Sequence, residues 1–438
     1  MADRQRIMID GFNLALPRGT GVATYGHNLA LAAQGMGLKV DGLYGLRAPY
    51  SPKLREIVFY EALGGEASTK VKRWQFKGFR ELSLLVRPKL ARELPSPGAG
   101  KVVTDQFAYR LPSFDRLFTS PDLFEMAHRH FKRYGLFMHV RVPNPPAIMH
   151  WTYPLPIKLD GAKNVYTLHD LVPLRLPFAS LDNKRLYYKL MKACVAKGDH
   201  ICTVSDASLN DIVAAYPDAA GKITNTYQAV RLPRTVLETT EDDVEASVRS
   251  IFNLPYKGYF MFFGAVEPKK NVARLIEAYL SLSTSTPLVI VGTRAWGSEV
   301  ELRLLQKDEI QPFKATFKNI RRIDYLPRNL LMRLVRGAKA VAFPSLYEGF
   351  GLPALEAMML GTPVLTSTSS SLPEVVGDAA LKVDPYSVPS IADALRALDG
   401  DAALRANLAA QGKARAQNFT MDSYQQALRA MYDRVLAR

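Results

Sequence analysis

The sequence predicts an α/β protein with two Rossmann-like domains, each built on a parallel sheet. Two observations lead to this fold class. The 438 residues exceed what one hydrophobic core supports, and an alternation of strand and helix patterns opens twice, at 6–44 and again at 258–292. A polar, acidic stretch at 238–243 lies between the two series. The predicted parts are, in order, residues 1–235, 236–418 and a terminal segment at 419–438.

The first domain opens with a β-α-β unit and resumes the same alternation after an interruption. Residues from about 50 to 145 are rich in proline, basic and aromatic residues, so we interpret them as an insertion. The order of elements around it is typical of an all-parallel sheet. The predicted strands are 6–10, 38–44, 147–151, 164–168 and 200–204, and the predicted helices are 22–34, 182–197 and 207–216.

The second domain repeats the alternation, and a helix with a periodic apolar face ends the chain. The acidic residues at 238–243 indicate the capped start of a helix, because carboxylates favour a helix N-terminus. The final helix carries Tyr424, Leu428 and Tyr432 at helical spacing, which indicates a buried face. The predicted strands are 258–264, 288–292, 320–323 and 339–343, and the predicted helices are 272–282, 330–337 and 422–437.

Composition indicates a reducing compartment and an anionic partner. No run of 18 apolar residues occurs, and the first residues lead directly into a strand, so we expect a cytoplasmic protein. Cys194 and Cys202 fall on a helix and the next strand, as buried core thiols commonly do. The formal net charge of +16 calls for a polyanionic partner such as nucleic acid, anionic lipid or a phosphorylated substrate.

One stretch of the chain is markedly basic. From Lys70 to Arg92 there are eight basic residues and one acidic residue, interleaved with apolar residues at spacings near three and four. A basic amphipathic helix of this kind fits the surface of an anionic membrane. The same apolar stripe equally fits packing on the protein's own core. A second basic and aromatic cluster, at 128–134, has the same two interpretations.

A glycine-rich turn in the second domain has the form of an anion site. Residues 339–343 predict a buried strand, and Pro353 predicts the first turn of a helix. Gly349 and Gly351 lie between them and let a ligand approach the main chain. Free N–H groups at the helix start and the helix dipole favour a diphosphate at such a turn.

Two glutamates flank this turn. Glu356, one turn into the helix, suits the two vicinal hydroxyls of a ribose, whereas Glu348, before the turn, faces whatever extends beyond the diphosphate. An isolated pair of glutamates at this spacing is usually solvated, so the neighbouring residues decide the interpretation. Together they predict a site for a nucleoside diphosphate sugar.

The first strand-to-helix junction of the second domain adds positive charge. Gly264 ends the strand, and Lys269 and Lys270 follow at the point where ligands of parallel sheets bind. Two lysines there can neutralise a diphosphate. A purely structural role is unfavourable, because lysine opposes the dipole of a helix start.

The first domain contributes a second glycine turn and a histidine. Gly19 and Gly21 precede the helix at 22–34, and such a turn alone is a weak signal. His169 follows a buried strand and should emerge at the mouth of the cleft, where Asp170 could fix its tautomer. Ser205 is equally consistent with a site residue and with a helix cap.

The segment 344–356, together with 361–365 and 371–378, resembles the donor-site signature of glycosyltransferase family four. This resemblance implies the GT-B fold, in which two Rossmann-like domains face a central cleft and a C-terminal helix crosses back to the first domain. It places the insertion on the acceptor side. The implied reaction moves a hexose from a nucleoside diphosphate sugar to a glycan with retention of configuration, and it needs no cofactor and no metal ion.

The resemblance assigns roles to residues at matching positions. His169, Glu348 and Lys270 are the implied catalytic residues. The implied donor-binding residues are Gly19, Gly21, Gly264, Lys269, Lys270, Ile323, Tyr325, Glu348, Gly349, Phe350, Gly351, Leu352 and Glu356. Within this set, Ile323 and Tyr325 lie at the strand end where the family holds the nucleotide base.

Two further segments, 168–173 and 267–271, are most similar to those of bacterial mannosyltransferase-like enzymes of O-antigen, capsule or exopolysaccharide assembly. GDP-mannose is therefore the first expected donor, with a UDP-sugar as the alternative. The expected acceptor is a lipid-linked or growing cell-surface glycan, reached by peripheral association with the inner face of the cytoplasmic membrane. Many relatives carry an arginine where this chain has Ala265, which leaves the site one positive charge short unless Lys269 compensates.

Three other functions fit parts of the sequence. A nucleic-acid-binding protein is favoured by the net charge alone, and because no recognised nucleic-acid motif supports it we expect no such partner. A nucleotide-sugar epimerase of GT-B fold would convert the donor without an acceptor. A non-catalytic, polyanion-binding relative is suggested by Ala265, but Glu348, Glu356 and Lys270 argue against it.

Overall fold

The computed structural model describes residues 3–16, 21–49, 51–65, 88–94, 102, 107, 110–306 and 319–438. Most of the basic stretch at 70–92 lies outside these ranges, as does Gly19. The interpretation of that stretch as a membrane surface or as core packing therefore stays a prediction.

The strands and helices alternate along the chain much as the sequence predicts. The strands are β1 Asp3–Asp10, β2 Lys39–Tyr44, β3 Lys89–Leu90, β4 Arg92–Glu93, β5 Arg116–Thr119, β6 Met138–Arg141, β7 Pro146–Trp151, β8 Ile157–Leu159, β9 Lys163–Thr167, β10 His200–Thr203, β11 Ile223–Asn225, β12 Phe260–Phe263, β13 Leu288–Val291, β14 Ile320–Ile323, β15 Ala340–Phe343, β16 Val364–Ser367 and β17 Leu381–Val383. The helices are α1 Gly21–Gly35, α2 Pro52–Gly64, α3 Leu123–Tyr134, α4 Val172–Arg175, α5 Lys184–Lys197, α6 Asp206–Ala215, α7 Arg234–Leu237, α8 Glu241–Phe252, α9 Val272–Leu280, α10 Ser298–Glu301, α11 Arg303–Gln306, α12 Arg328–Arg336, α13 Leu352–Met359, α14 Leu372–Val376, α15 Val388–Gly400, α16 Ala402–Ala416 and α17 Met421–Ala437.

In the described ranges, the first sheet has the strand order β11-β10-β9-β7-β1-β2-β5-β4. β1 lies in its interior, with Ile7 paired to Val40 of β2 and to Ile148 of β7, both in parallel. The expectation of an all-parallel sheet is wrong at one edge, because β4 pairs antiparallel with β5. Both strands belong to the predicted insertion, which thus extends the domain's sheet. A small parallel sheet, β3-β6-β8, accompanies it.

The second sheet has the order β14-β13-β12-β15-β16-β17, and all its pairs are parallel. Its four inner strands are buried along their whole length, as their apolar sequences require when helices cover both faces of a sheet. The two sheets are formed by residues 3–225 and 260–383, so the boundary predicted at 235/236 falls between them. This is the GT-B arrangement that the sequence predicts.

Several local predictions are confirmed by the structure. Thr240 caps α8 by accepting the N–H of Asp243, and acidic residues fill the first turn of that helix. Ser205 caps α6 in the same way, by accepting the N–H of Ser208. Cys194 and Cys202 are buried free thiols. These residues have structural roles.

The basic and aromatic cluster at 128–134 packs on the protein's own core through one face. It forms most of α3, where His130 and Phe131 are buried. The Phe131 ring lies 6.0 Å from that of Phe137, edge to face. The packing interpretation of this cluster is therefore confirmed.

The C-terminal helix α17 packs against the first domain, as predicted. Tyr432 Oη lies 2.7 Å from His150 Nδ1 at the core of that domain, and Arg429 donates to the carbonyl of Met36 at 2.9 Å. No helix within the described ranges is both long and apolar enough to span a bilayer.

Candidate active site

A strand, a tight turn and a helix start form the centre of the site. β15 ends at Phe343, and α13 begins at Leu352 with Pro353 in its first turn. Gly351 connects them with a φ of +103°, a conformation that side-chain-bearing residues rarely adopt. A Cβ at this position would also lie 2.6 Å from Leu372 Cδ2. Glycine is therefore required for the turn to bring its main chain to the helix start.

The turn presents main-chain donors that no described residue accepts from. Across the part of the chain that the structure describes, no group accepts the N–H of Gly349, Phe350, Gly351 or Leu352. The first three of these residues are buried. Because buried N–H groups are normally paired, donors left open at a helix N-terminus form a ready anion site. The geometry can hold the two phosphates that the sequence predicts.

The loop after β12 is fixed directly against this turn. The N–H of Leu346 donates to the carbonyl of Lys269 at 2.8 Å, and Asn271 Nδ2 donates to the carbonyl of Pro344 at 3.0 Å. Asn271 has a φ of +62°, in the left-handed region that asparagine tolerates better than most residues. Sequence reasoning did not select Asn271, because its partners are backbone carbonyls far along the chain.

Lys270 and Glu348 form a buried ion pair at the centre of the cleft. Lys270 Nζ lies 2.6 Å from Glu348 Oε1, and the two side chains are only 11% and 8% exposed. Burial would raise the pKa of Glu348, but Lys270 and Lys269 outweigh it and hold the pKa below its ordinary value. Glu348 is therefore an ionised acceptor at neutral pH, positioned by one of the two lysines.

Lys269 supplies a second positive charge in the same place. Its Nζ lies 3.5 Å from Glu267 Oε1. Burial would lower the pKa of Lys269, but Glu348, Glu267 and Asp170 together raise it above its ordinary value. The group stays protonated, and it can stand in for the arginine that many relatives have at Ala265.

The second glutamate of the turn is paired as well. Glu356 is 5% exposed, and its Oε1 accepts from Arg328 Nη2 at 2.6 Å. Arg328 begins α12, directly after the strand end where the base is expected. It thereby fixes the orientation of the carboxylate, whose other oxygen can accept from a ribose hydroxyl. Arg328 had not been selected from the sequence, because no local pattern links it to Glu356.

The two domains meet where Gly349 approaches His169. A Cβ on Gly349 would lie 2.7 Å from the backbone oxygen of His169, so the absence of a side chain permits the contact. Ser208 Oγ donates to the same oxygen at 2.8 Å. The predicted sugar-side residues of both domains are thus brought together.

His169 is held in one tautomer by a main-chain carbonyl. Its Nε2 lies 2.8 Å from Thr152 O, so Nε2 carries the hydrogen and Nδ1 is left as an acceptor. Burial lowers the pKa of His169, although the bond to Thr152 and the charge of Asp170 oppose this. The expectation that Asp170 fixes the tautomer is wrong, because the Asp170 carboxylate accepts from Val172 N instead.

A buried carboxylate holds the peptide that orients His169. Asp10, at the end of β1, accepts the N–H of Thr152 and the N–H of Phe12. Burial raises the pKa of Asp10 to about 6, against the lowering effect of these bonds. Asp10 is thus a positioning residue that sequence reasoning missed.

A carboxylate from the second domain caps a helix of the first. Glu374 accepts the N–H groups of Asp206 and Ala207 at 2.7 and 3.1 Å. These are free donors at the start of α6, so the contact satisfies that helix and joins the domains. The contact keeps the two walls of the cleft in register.

The remaining predicted residues are less closely grouped. A Cβ on Gly21 would lie 3.7 Å from Leu352 Cδ1, so the start of α1 faces the start of α13. Gly264 has a φ of +136° at the end of β12. The Phe350 side chain is buried among aromatic residues, with its ring 5.5 Å from that of Phe419, so only its main chain is available to a ligand.

Ile323 and Tyr325, which are predicted to contact the nucleotide base, lie at the carboxyl end of β14. The carbonyl of Ile323 accepts from the N–H of Gly292 at 2.9 Å. Tyr325 is 70% exposed. Their part in holding a nucleotide base stays a prediction.

Comparison with known proteins finds relatives of this chain among the glycosyltransferases. Residues 247–415 match the family described as glycosyl transferases group 1. The chain is 34% identical over 278 residues to the O-antigen chain mannosyltransferase B of Escherichia coli. The aligned region covers 61% of this chain and 69% of that protein. The chain is 28% identical over 279 residues to the serotype-specific mannosyltransferase WbdA of Escherichia coli, or 61% of this chain and 33% of that larger protein.

A solved structure has the same fold. WaaG, a glycosyltransferase involved in lipopolysaccharide biosynthesis, superposes with a TM-score of 0.60 at 16% identity, over 97% of this chain and 98% of that one. A likeness at this identity concerns the fold, whereas the E. coli mannosyltransferase B shares sequence over more than two thirds of its length. The chain therefore belongs to the group 1 glycosyltransferases, glycosyltransferase family four with the GT-B fold, and is similar to its O-antigen mannosyltransferases.

Proposed function

We propose that this glycosyltransferase moves mannose from GDP-mannose to a lipid-linked or growing cell-surface glycan, with retention at the anomeric carbon and without a metal ion. The observation that carries the proposal is the set of N–H groups at Gly349–Leu352, which have no acceptor among the residues that the structure describes. They lie between Lys270, on one side, and Glu356, on the other. A diphosphate accepts from the N–H groups, and the ribose reaches the carboxylate.

The chemistry of the step follows from the charges in the cleft. Breaking the bond between the sugar C1 and the diphosphate places negative charge on the leaving oxygen. Lys269, Lys270 and the open N–H groups are already oriented to stabilise that charge, so little reorganisation is needed. The acceptor hydroxyl attacks C1 from the same face, and its proton passes to the departing diphosphate.

Glu348 acts on the sugar, not on the phosphates. Its carboxylate is ionised and fixed by Lys270, so it can accept hydrogen bonds from sugar hydroxyls. His169 Nδ1 offers a further acceptor from the opposite domain. Two fixed acceptors on opposite walls would orient the hexose ring for attack at C1.

Metal independence is part of the proposal. The negative charge that a divalent cation would neutralise is matched here by two lysines and by main-chain donors. Within the described ranges, no group of three or more His, Cys, Asp and Glu side chains is arranged to hold a metal ion.

The proposed place of action is an anionic membrane surface. Phe178, Leu181 and Tyr188 are 61%, 72% and 42% exposed, beside or on α5. The same helix exposes Arg185, Lys189, Lys192 and Lys197 and carries no acidic residue. Exposed apolar side chains next to basic ones suit the headgroup layer of an anionic bilayer. We name this surface, residues 178–197, the basic-apolar face.

A transfer assay tests the proposed reaction. The protein is incubated with octyl α-D-mannoside and either GDP-mannose or UDP-glucose, with and without EDTA, and the product is analysed by mass spectrometry and proton NMR. We expect a dimannoside with a new α linkage from GDP-mannose, formed equally well in EDTA. If product forms with UDP-glucose and not with GDP-mannose, the proposed donor is wrong and a UDP-sugar takes its place. Conversion of the nucleotide sugar in the absence of the acceptor would indicate an epimerase.

A further inference from the structure

A second cavity in the cleft lies beside Glu348. None of the predicted donor-binding residues lines it. It has a volume of about 520 Å³, within the range of about 300–1,000 Å³ typical of ligand pockets. Helices α4 and α6 form its wall in the first domain, and the segments that follow β15, β16 and β17 form its wall in the second. The lining residues are Arg175, Leu176, Ala207, Asn210 and Asp211 of the first domain and Leu346, Tyr347, Ser369, Ser370 and Tyr386 of the second.

The cavity adjoins Glu348 through the main chain. Tyr347 precedes that glutamate, and the Glu348 N–H donates to Ser370 Oγ at 2.8 Å. Ser370 has a φ of +53°, which is unusual for a residue with a side chain. Backbone strain of this kind is retained where the surrounding structure or a function requires it. A ligand in the cavity would thus lie next to the sugar that Glu348 holds.

The polar groups in the cavity are balanced in charge. Arg175, the lone lysine or arginine among its described lining residues, pairs with Asp211. Asp211 also accepts from the hydroxyl of Tyr347, so the carboxylate joins the two domains. Asn210 and the serines add neutral donors and acceptors. Such a lining favours a neutral, hydroxyl-rich ligand over a phosphate.

A further cavity between the domains has the opposite character. It measures about 250 Å³ and is lined by His27, Arg231, Arg234 and Arg328, and none of its described lining residues carries a carboxylate. That composition suits an anion. The contrast indicates that the basic cavity binds a charged group and the larger cavity binds an uncharged one.

Aromatic rings complete the recognition surface. Tyr386 is 55% exposed at the cavity mouth, and the guanidinium of Arg274 lies 5.4 Å from its ring centroid. An exposed tyrosine whose ring is in contact with a guanidinium offers a flat apolar face. The C–H face of a pyranose ring can pack on that face. Tyr347 packs with Val172 and Leu176, which keeps the inner wall in place.

We propose that this cavity binds the acceptor saccharide and presents its hydroxyl to the sugar held by Glu348. The inference rests on the proposed transferase function and adds the chemical class and the position of the acceptor. The sugar ring covers Tyr386, while Asn210 and the pair Arg175–Asp211 accept and donate hydrogen bonds at its hydroxyls.

Direct binding tests the cavity without relying on turnover. Octyl α-D-mannoside is titrated into the full chain without donor, and saturation-transfer NMR gives its dissociation constant. We expect Tyr386→Ala and Asn210→Ala to weaken binding about tenfold each. Tyr386→Phe keeps the ring and should stay within threefold of wild type. Asn407→Ala, an exposed asparagine on α16, is the matched control.

A parallel titration with GDP separates this proposal from the proposed function. GDP binding should be unchanged in Tyr386→Ala and Asn210→Ala, because neither residue belongs to the proposed donor-binding set. Unchanged mannoside binding in both variants would overturn the cavity assignment. A loss of GDP binding as large as the loss of mannoside binding would also overturn it, because the cavity would then be part of the donor site. Failure of wild type to bind GDP contradicts the proposed donor site alone, since mannoside binding is measured without donor.

Discussion

Lys270 Nζ lies 2.6 Å from Glu348 Oε1, although 78 positions separate the two residues along the chain. The pair exists because β12 and β15 are neighbours in the second sheet, which brings the ends of both strands to the same point of the cleft. It couples a cation suited to the diphosphate with a carboxylate suited to the sugar. In the proposed mechanism, the two charges that bind the two halves of the donor are thus fixed against each other before the donor arrives.

Removal of Lys270 should destabilise the second domain. Lys270→Met leaves Glu348 as a buried carboxylate without its closest partner, which typically costs about 3–5 kcal/mol. The double variant Lys270→Met/Glu348→Gln removes that charge and should recover part of the loss. Hydrogen exchange of the amides in α9 gives the local free energy of unfolding for each variant.

The two single changes should therefore be strongly non-additive. A coupling free energy above about 1 kcal/mol supports the buried pair. If the effects of the single variants simply add, the two groups do not interact as described.

Addition of one methyl group at Gly349 should impair catalysis more than stability. In Gly349→Ala the new Cβ would lie 2.7 Å from the carbonyl oxygen of His169, so the contact between the domains has to open. A shift of this size at the sugar end of the site should lower kcat/KM by about tenfold or more. Steady-state kinetics and thermal denaturation measure the two effects.

Gly400 provides the matched control, because a Cβ there has no atom within 4 Å. Gly400→Ala should leave kcat/KM unchanged. An equally active Gly349→Ala enzyme would show that the close approach to His169 has no part in the reaction.

The docking of the C-terminal helix should depend on pH through His150. This side chain is fully buried between Thr167 and Tyr432, and burial, with a smaller contribution from His169, lowers its pKa from 6.5 to about 3. The unfolded chain therefore takes up a proton between these values, whereas the native state does not. The contribution to stability is complete above pH 6.5 and is lost progressively as the pH falls toward 3.

His150→Gln keeps neutral hydrogen-bonding groups but cannot take up the proton. Compared with wild type, its free energy of unfolding should fall less steeply between pH 6.5 and 4, as measured by urea denaturation followed at each pH. Identical slopes in the two proteins would mean that His150 is not buried in the neutral form.

Binding to anionic vesicles should depend on the basic-apolar face. The change of Arg185, Lys189 and Lys192 to glutamine removes three charges of about 1 kcal/mol each, which predicts binding weaker by about a hundredfold. Sedimentation with vesicles of phosphatidylglycerol and phosphatidylcholine measures it. A control with Arg249, Lys382 and Arg396 changed to glutamine has the same net charge. Equal losses in both triple variants would reject this face as the contact surface.

Local features of the donor turn could be predicted from the sequence because each one is encoded within a few residues. An apolar run gives β15, Pro353 marks the first turn of α13, and Gly351 permits the positive φ between them. The caps by Ser205 and Thr240 are equally local. Residue type and spacing suffice for such features.

The contacts that orient the site residues could not be predicted, because they join distant segments or involve the main chain. His169 is held by the carbonyl of Thr152, whose own N–H is held by Asp10. Arg328 reaches Glu356 only once α12 and α13 are packed on the same sheet. A carbonyl carries no signature in the sequence, and a pairing across elements depends on strand order.

The donor site itself is tested most directly by calorimetric titration of GDP into wild type and into Glu356→Gln. Glu356→Gln keeps the shape of the side chain and removes the charge that Arg328 orients and that we propose faces the ribose. We expect one GDP per chain of wild type, bound more tightly than UDP or ADP, and an affinity at least about tenfold lower in the variant. Equal affinity of the two proteins for GDP, or no binding by folded wild type, would contradict the placement of the nucleotide in this cleft.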